Sequence, residues 1–242
     1  LTTTGPRAGP EATLDPSAFE VIDLSQPVSE DMAAWRGTER AQFSVGEVED
    51  IAHSIPGGRI SATWFSTVAH AGTHLDAARH MFPAGKSIDK YEPRRFVSRG
   101  VALDVAREPA HELTVQELAA ADPGIRAGDA VLLYFGFAEW YTDEVYYDHP
   151  YLSLEAARYL ADLEVNLVGC DVLTPDQPAH RRCKPFPYPV HTELLGRDVL
   201  IVENLGPGLA KVVGRSFLFV MAPITIPAAD ASPIVPLALV PR

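Results

Sequence analysis

The sequence predicts an α/β domain on a mixed sheet, and three observations carry that prediction. Seven runs rich in β-branched and apolar residues read as strands, and only two segments read as amphipathic helices. Purely parallel crossovers would each need a covering helix, which the chain does not offer in sufficient number. With 242 residues, 47% of them hydrophobic and 21% charged, the chain is long enough for one compact core and too apolar for wholesale disorder.

In chain order, residues 1–16 are rich in Thr, Gly and Pro without apolar periodicity and read as a flexible tail, leaving 17–242 as a single domain. The strand runs are 19–24, 59–68, 101–105, 130–135, 165–170, 199–203 and 216–224. A helix over 114–121 is announced by Thr114 with Glu117 three residues on, the two halves of a capping box. A second over 153–163 opens at Ser153 and places Leu154, Ala157, Leu160 and Ala161 on one face, directly before a strand. The last stretch carries Pro223, Pro227, Pro233, Pro236 and Pro241, which forbids helix and predicts a surface wrap with any strand at a sheet edge.

Charge and composition exclude several functions. Asp and Glu number 32 against 20 Lys and Arg, a net charge of -12 that repels phosphate backbones, so nucleic acid is not an expected partner. The apolar stretch 216–226 is barely half the ~20 residues needed to cross a bilayer, so no membrane span is expected. Two cysteines, Cys170 and Cys183, and no apolar leader with a cleavage site point to a reducing cytoplasm. No glycine-rich phosphate loop is present, which argues against a nucleotide cofactor. Cys170, Asp171, His180 and Cys183 lack a closely spaced cysteine pair and read as ordinary structural or surface residues.

The chemistry concentrates in VAHAGTHLDAARHMFPAGKSIDKY, where His70, His74, Asp76 and His80 fall within eleven residues of a chain holding eight histidines. Neutral imidazole with carboxylate suits Zn2+ or Mn2+. One continuous strand would separate His70 from His80 by about 33 Å. One continuous helix would rotate Asp76 away from His70 and His74, and Gly72 disfavours it. The spacing therefore predicts a strand ending near Val68, then a Gly72-assisted turn or short helix that gathers His70, His74 and Asp76 on one ion. His80, further along, suits acid/base work or the orienting of a ligand.

The pattern His-x-Gly-Thr-His-x-Asp-x-x-x-His resembles the signature of the metal-dependent cyclase family that contains bacterial kynurenine formamidases and isatin hydrolases. The likeness extends to VIDLSQPVSEDM, GKSIDKY, GVALDV and YLSLEAARYLADLEVNLVGCDVLTPD, leaving only the N-terminal tail outside. It implies a compact swivelling β/β/α domain, a small-molecule substrate, one or two ions, and a homodimer or homotetramer. It implies a first ion held by His70, His74 and Asp76, a second by Asp76, His191 and Glu203, and His80 as general acid/base. Without the resemblance, Glu203 at the end of an apolar strand is either emerging into solvent or meeting a buried cation. His191, after Pro185, Pro187 and Pro189, would by itself be a solvent-facing histidine on a stiff loop.

Two departures stand out. The family's Asp-x-Pro-x-His-Phe is here Asp76-Ala77-Ala78-Arg79-His80-Met81-Phe82, which predicts a looser loop and an extra cation near the site. The family's aromatic-Pro-Gly turn is here Trp35-Arg36-Gly37, where Trp35 either stacks on an aromatic substrate or packs in the core. The aromatic run 134–141 reads as core strand with a possible share in a pocket. The resemblance implies a metal-dependent hydrolase that opens a C–N (amide or lactam) or lactone bond by attack of metal-activated water. The alternatives are a metal-dependent cyclase or dehydratase of a polyketide-like intermediate, and a non-catalytic metal-stabilised binding protein.

Overall fold

The computed structural model describes residues 15–35, 37–47 and 60–242. The expected tail therefore lies outside the described residues except for Asp15 and Pro16, which open a 3₁₀ turn, Pro16–Ala18. Thirteen strands are formed among the described residues: β1 (Phe19–Asp23), β2 (Gln42–Glu47), β3 (Ser61–Ser66), β4 (His74–Asp76), β5 (Val97–Asp104), β6 (Glu112–Leu113) and β7 (Ala130–Tyr134), then β8 (Tyr151–Leu152), β9 (Leu167–Cys170), β10 (Leu200–Glu203), β11 (Ser216–Val220), β12 (Ala231–Pro233) and β13 (Leu237–Pro241). All seven expected strand runs are among them. Nine strands form one mixed sheet in the order β1-β13-β11-β5-β7-β9-β10-β4-β12, with β5, β7, β9 and β10 mutually parallel and every other pairing antiparallel. β2 and β3 make a separate hairpin, and β6 and β8 a short parallel pair.

Three helices cover one face. α1 (Val115–Ala120) is closed by the expected capping box: the Thr114 hydroxyl accepts from the Glu117 N–H and the Glu117 carboxylate accepts from the Thr114 N–H. α2 (Leu154–Asp162) is capped by Ser153, whose hydroxyl accepts from the Ala156 N–H at 3.1 Å. α3 (Pro189–Gly196) was not expected, because three prolines in five residues read as loop. Pro189 occupies the first helical turn, where a missing N–H breaks no helical bond.

Alternation along the central strands divides the core. Val131, Leu133, Val168 and Ile201 face the helices and pack with Leu118, Leu160 and Leu194, whereas Leu132, Leu167, Leu200 and Val202 face a second core built with Ile22, Leu209 and Val240. Leu160 and Leu194 are wholly buried, and truncating either to alanine would cost about 2–5 kcal/mol.

The proline-rich end differs from expectation. β13 lies inside the sheet, between β1 and β11, rather than on its surface or edge. Pro236 and Pro241 bracket it and leave residues 237–240 free to donate, while Pro233 belongs to β12 at the sheet's other edge, where a lost donor is tolerated. No helix among the described residues is long and apolar enough to cross a membrane.

Candidate metal centre

β4 and β10 pair antiparallel with Glu203 opposite His74 and Ile201 opposite Asp76, so period-two alternation puts His74, Asp76 and Glu203 on the helix side of the sheet. Leu75 points the other way, into the second core. The motif is thus a turn followed by a strand: His70 precedes the strand, His74 and Asp76 share one of its faces, and His80 closes a 3₁₀ turn, Ala78–His80. The expected turn is present. A second strand, rather than a short helix, carries His74 and Asp76.

The turn depends on Gly72, whose φ of +62° is left-handed and whose missing Cβ would stand 2.8 Å from Val28 Cγ2. The Gly72 carbonyl accepts from His74 Nδ1 at 2.9 Å and from Asn204 Nδ2 at 3.0 Å, which aims His74 Nε2 at the cluster. Asn204 itself accepts from the Tyr146 hydroxyl at 2.9 Å.

α3 brings His191 over the same strands. Rather than facing solvent from a loop, His191 is 3% exposed, and Asp176 accepts from its Nδ1 at 2.7 Å. Its Nε2 stands 3.5 Å from Asp76 Oδ2 and 3.3 Å from Glu203 Oε1. His74 Nε2 stands 3.2 Å from Glu203 Oε2 and 3.5 Å from Asp76 Oδ1, and His70 Nδ1 is 2.9 Å from Asp76 Oδ1. Glu203 is buried, so of its two readings the solvent-facing one fails.

The donor set suits a divalent cation. Both Asp76 oxygens, His74 Nε2 and Glu203 Oε1 are buried without a hydrogen-bond partner. Such atoms are costly to bury unless a cation or a hydrogen bond satisfies them. Two ligand atoms about 2.05 Å from one tetrahedral ion stand roughly 3.3 Å apart, close to the spacings found here. Two overlapping triads share Asp76: His70 with His80, and His74 with Glu203. The partition differs from the one the resemblance implies, with His80 within the first triad and His74 facing Glu203, but Asp76 is common to both schemes.

Electrostatics agree. Burial works against the Asp76 carboxylate, yet His70 and His74 hold its pKa well below the ordinary range. Burial likewise opposes ionised Glu203, and the neighbouring imidazoles of His191 and His74 override it, holding its pKa down at about 2. Burial also disfavours the His70 cation, but Asp76 with Asp230 holds its pKa up at about 9. The centre is a cup of two buried, ionised carboxylates ringed by imidazoles.

It opens into a cavity of about 540 Å³ walled by Trp35, Tyr188, Val68 and Met81, with His70, His80 and His191 at its base. Trp35 is half-buried on this wall, and the Arg182 guanidinium lies 5.1 Å from its ring, 4.5 Å from Phe186 and 4.7 Å from Tyr188. Arg36 of the expected turn lies outside the described residues. Arg79 is exposed and donates to the Pro83 carbonyl at 3.2 Å, away from the cluster. Ala78, where the resemblance expects proline, uses its N–H to donate to the Tyr91 hydroxyl at 3.3 Å, so a hydrogen bond holds the loop where a ring would have. Phe135, Phe137 and Tyr141 are core residues, and Asp171 accepts from the N–H groups of Phe135, Gly136 and Phe137.

Sequence reasoning missed Asp176, Asp230 and Tyr188. Asp176 stands in the quoted segment ending LTPD, the one available signal; the other two gave none.

A kynurenine formamidase of Bacillus cytotoxicus is 26% identical over 220 residues, spanning 90% of this chain and 96% of its own. Isatin hydrolase A from Ralstonia solanacearum superposes with a TM-score of 0.79 at 26% identity, covering 99% of this chain and 100% of that one. An isatin hydrolase bound to the product analogue thioisatinate gives the same TM-score at 20% identity over 93% and 94% of the two chains, a likeness of fold. Residues 22–177, well over half of the sequence, match the family described as "Putative cyclase", and the chain therefore belongs to the Cyclase family.

Proposed function

We propose that this protein is a metal-dependent hydrolase that opens a C–N (amide or lactam) or lactone bond of a small aromatic or cyclic substrate. One observation carries the reading: Asp76, with both oxygens buried and unpaired, stands among His70, His74, His191 and Glu203 at the base of an aromatic-walled cavity. The 26%-identical formamidase and isatin hydrolase A support the substrate class. His70, His74, Asp76, His191 and Glu203 would hold one or two ions, Zn2+ or Mn2+ by donor type. Bound there, such an ion would supply Lewis-acid polarisation of a carbonyl and a water made nucleophilic near neutral pH.

The chain's own residues do the rest. Trp35 and Tyr188 offer ring faces that orient a flat substrate, while Val68 and Met81 exclude bulk water. His80, with its ring centroid 4.3 Å from that of His70 and 5.6 Å from that of His191, is placed to hand a proton to the departing nitrogen or oxygen. The enzyme works as one catalytic domain over 17–242, in the cytoplasm, as a homodimer or homotetramer. Exposed Val45, Trp64 and Phe65 on the β2–β3 hairpin support assembly.

The test compares wild type and Asp76→Ala purified without chelator. Elemental analysis should find one or two equivalents of zinc or manganese in wild type and a large loss in the variant. An N-formyl arylamine and cyclic-imide panel should release formate or ring-opened acid only with wild type. Retained metal and activity in Asp76→Ala would overturn the reading, and product formed by loss of water would favour the cyclase or dehydratase instead.

A further inference from the structure

Asp230 is placed against both the metal cluster and the acid/base histidine. It immediately precedes β12, and its loop is tied down: the Asp230 carbonyl accepts from Ala77 N–H at 2.9 Å, the Ala229 carbonyl from Ile88 N–H at 3.0 Å, and Asp89 Oδ1 from Ala228 N–H at 3.0 Å. From there a single oxygen, Asp230 Oδ2, stands 3.1 Å from His70 Nε2 and 3.3 Å from His80 Nδ1.

We infer that Asp230 is a positioning residue that fixes the tautomers of His70 and His80 together. A carboxylate oxygen only accepts, so both facing nitrogens must carry hydrogen. Once an ion replaces the second His70 proton, His70 is the Nε2–H form, with its Nδ1 lone pair on the side of Asp76 Oδ1, 2.9 Å away. His80 is the Nδ1–H form, which leaves its Nε2 lone pair free to take a proton in the cavity. One carboxylate thus prepares a ligand and a base at once. Without it each imidazole can rotate or exchange tautomers, and the two functions fail together. This rests on the metal-centre reading above.

The experiment uses the full chain, zinc alone as probe, and no substrate. Zinc affinity of wild type, Asp230→Asn and Asp230→Ala is measured by chelator competition. The His80 tautomer in the zinc-loaded proteins is read from long-range 15N–1H correlations of 15N-histidine samples, assigned with His80→Gln. Asp230→Ala should weaken zinc about 10–100-fold and convert His80 from the Nδ1–H form to a mixture. Asp230→Asn, which keeps a neutral acceptor, should fall between. Asp230 is 46% exposed, so neither change opens a core cavity, and thermal unfolding verifies the fold. An Nε2–H His80 in wild type, or zinc affinity within twofold in Asp230→Ala, overturns the inference. Wild type that binds no zinc overturns the metal-centre reading instead, so the two failures are distinguishable.

Discussion

His191 Nδ1 and Asp176 Oδ2 stand 2.7 Å apart, both buried, and this contact decides which end of the imidazole meets Asp76 and Glu203. Asp176 also accepts from the N–H groups of Val190 and His191 through its two oxygens, so one carboxylate starts the helix and aims its histidine. Asp176→Ala should cut metal affinity about 10–100-fold. It should also destabilise the fold by roughly 2 kcal/mol as buried donors lose their acceptor. Chelator competition and urea unfolding, run side by side, measure the two; unchanged metal affinity would refute the positioning role.

Trp35 lies on the cavity wall rather than in either core. Trp35→Ala should raise KM for an aryl substrate about tenfold with metal content unchanged, and Trp35→Phe should recover most of the loss. Steady-state kinetics with elemental analysis checks this. Equal KM values across the three proteins would place the substrate elsewhere.

The Gly72 turn predicts a different failure. Gly72→Ala meets both the left-handed φ and the Val28 side chain, so a loss of about 1–3 kcal/mol is expected, together with weaker metal binding because His70 and His74 flank the turn. Thermal melts of metal-free and zinc-loaded protein separate the effects. If Gly72→Ala melts like wild type in both states, the turn does not need glycine.

His149 gives a pH signature of its own. It is wholly buried; its Nδ1–H donates to the Pro150 carbonyl at 2.8 Å, and its Nε2 has no partner among the described residues. Burial pushes its pKa down from 6.5 to about 4, against the pull of Pro150 and Glu203. The unfolded chain therefore binds a proton between pH 6.5 and 4 that the folded chain does not. The stabilisation tied to neutral His149 is full above pH 6.5 and falls as pH drops to 4, by on the order of 3 kcal/mol. The unfolding free energy of wild type minus that of His149→Asn should shrink by that amount between pH 7 and pH 4. A difference that stays flat with pH would show that His149 titrates normally.

The sheet and two helices were legible because their signals are local: apolar runs at 130–135 and 199–203, and caps at Thr114 and Ser153. α3 was not, since prolines that break a helix interior are harmless in its first turn. β13 was not, since its prolines sit at the ends of the strand. Around the cluster, His70, His74, Asp76 and His80 announced themselves by spacing within eleven residues. His191 and Glu203 needed the family resemblance, because their meeting with Asp76 depends on the pairing of β4 with β10 and the seating of α3. Asp230 lies 150 residues beyond His80, a separation across which no periodicity carries information.

The pairing of β4 with β12 also has a temporal side. The strand bearing His74 and Asp76 is flanked by β10 and β12, both synthesised more than 120 residues later, and β1 waits for β13. A ribosome adding about 5–20 residues per second leaves the histidine motif without its neighbours for many seconds. During that interval the nascent chain carries His74 and Asp76 on a segment without either of its pairing strands. Assembly of the cluster is thereby tied to completion of the last strands, and a ribosome stalled before Asp230 would hold the motif without β12 beside it.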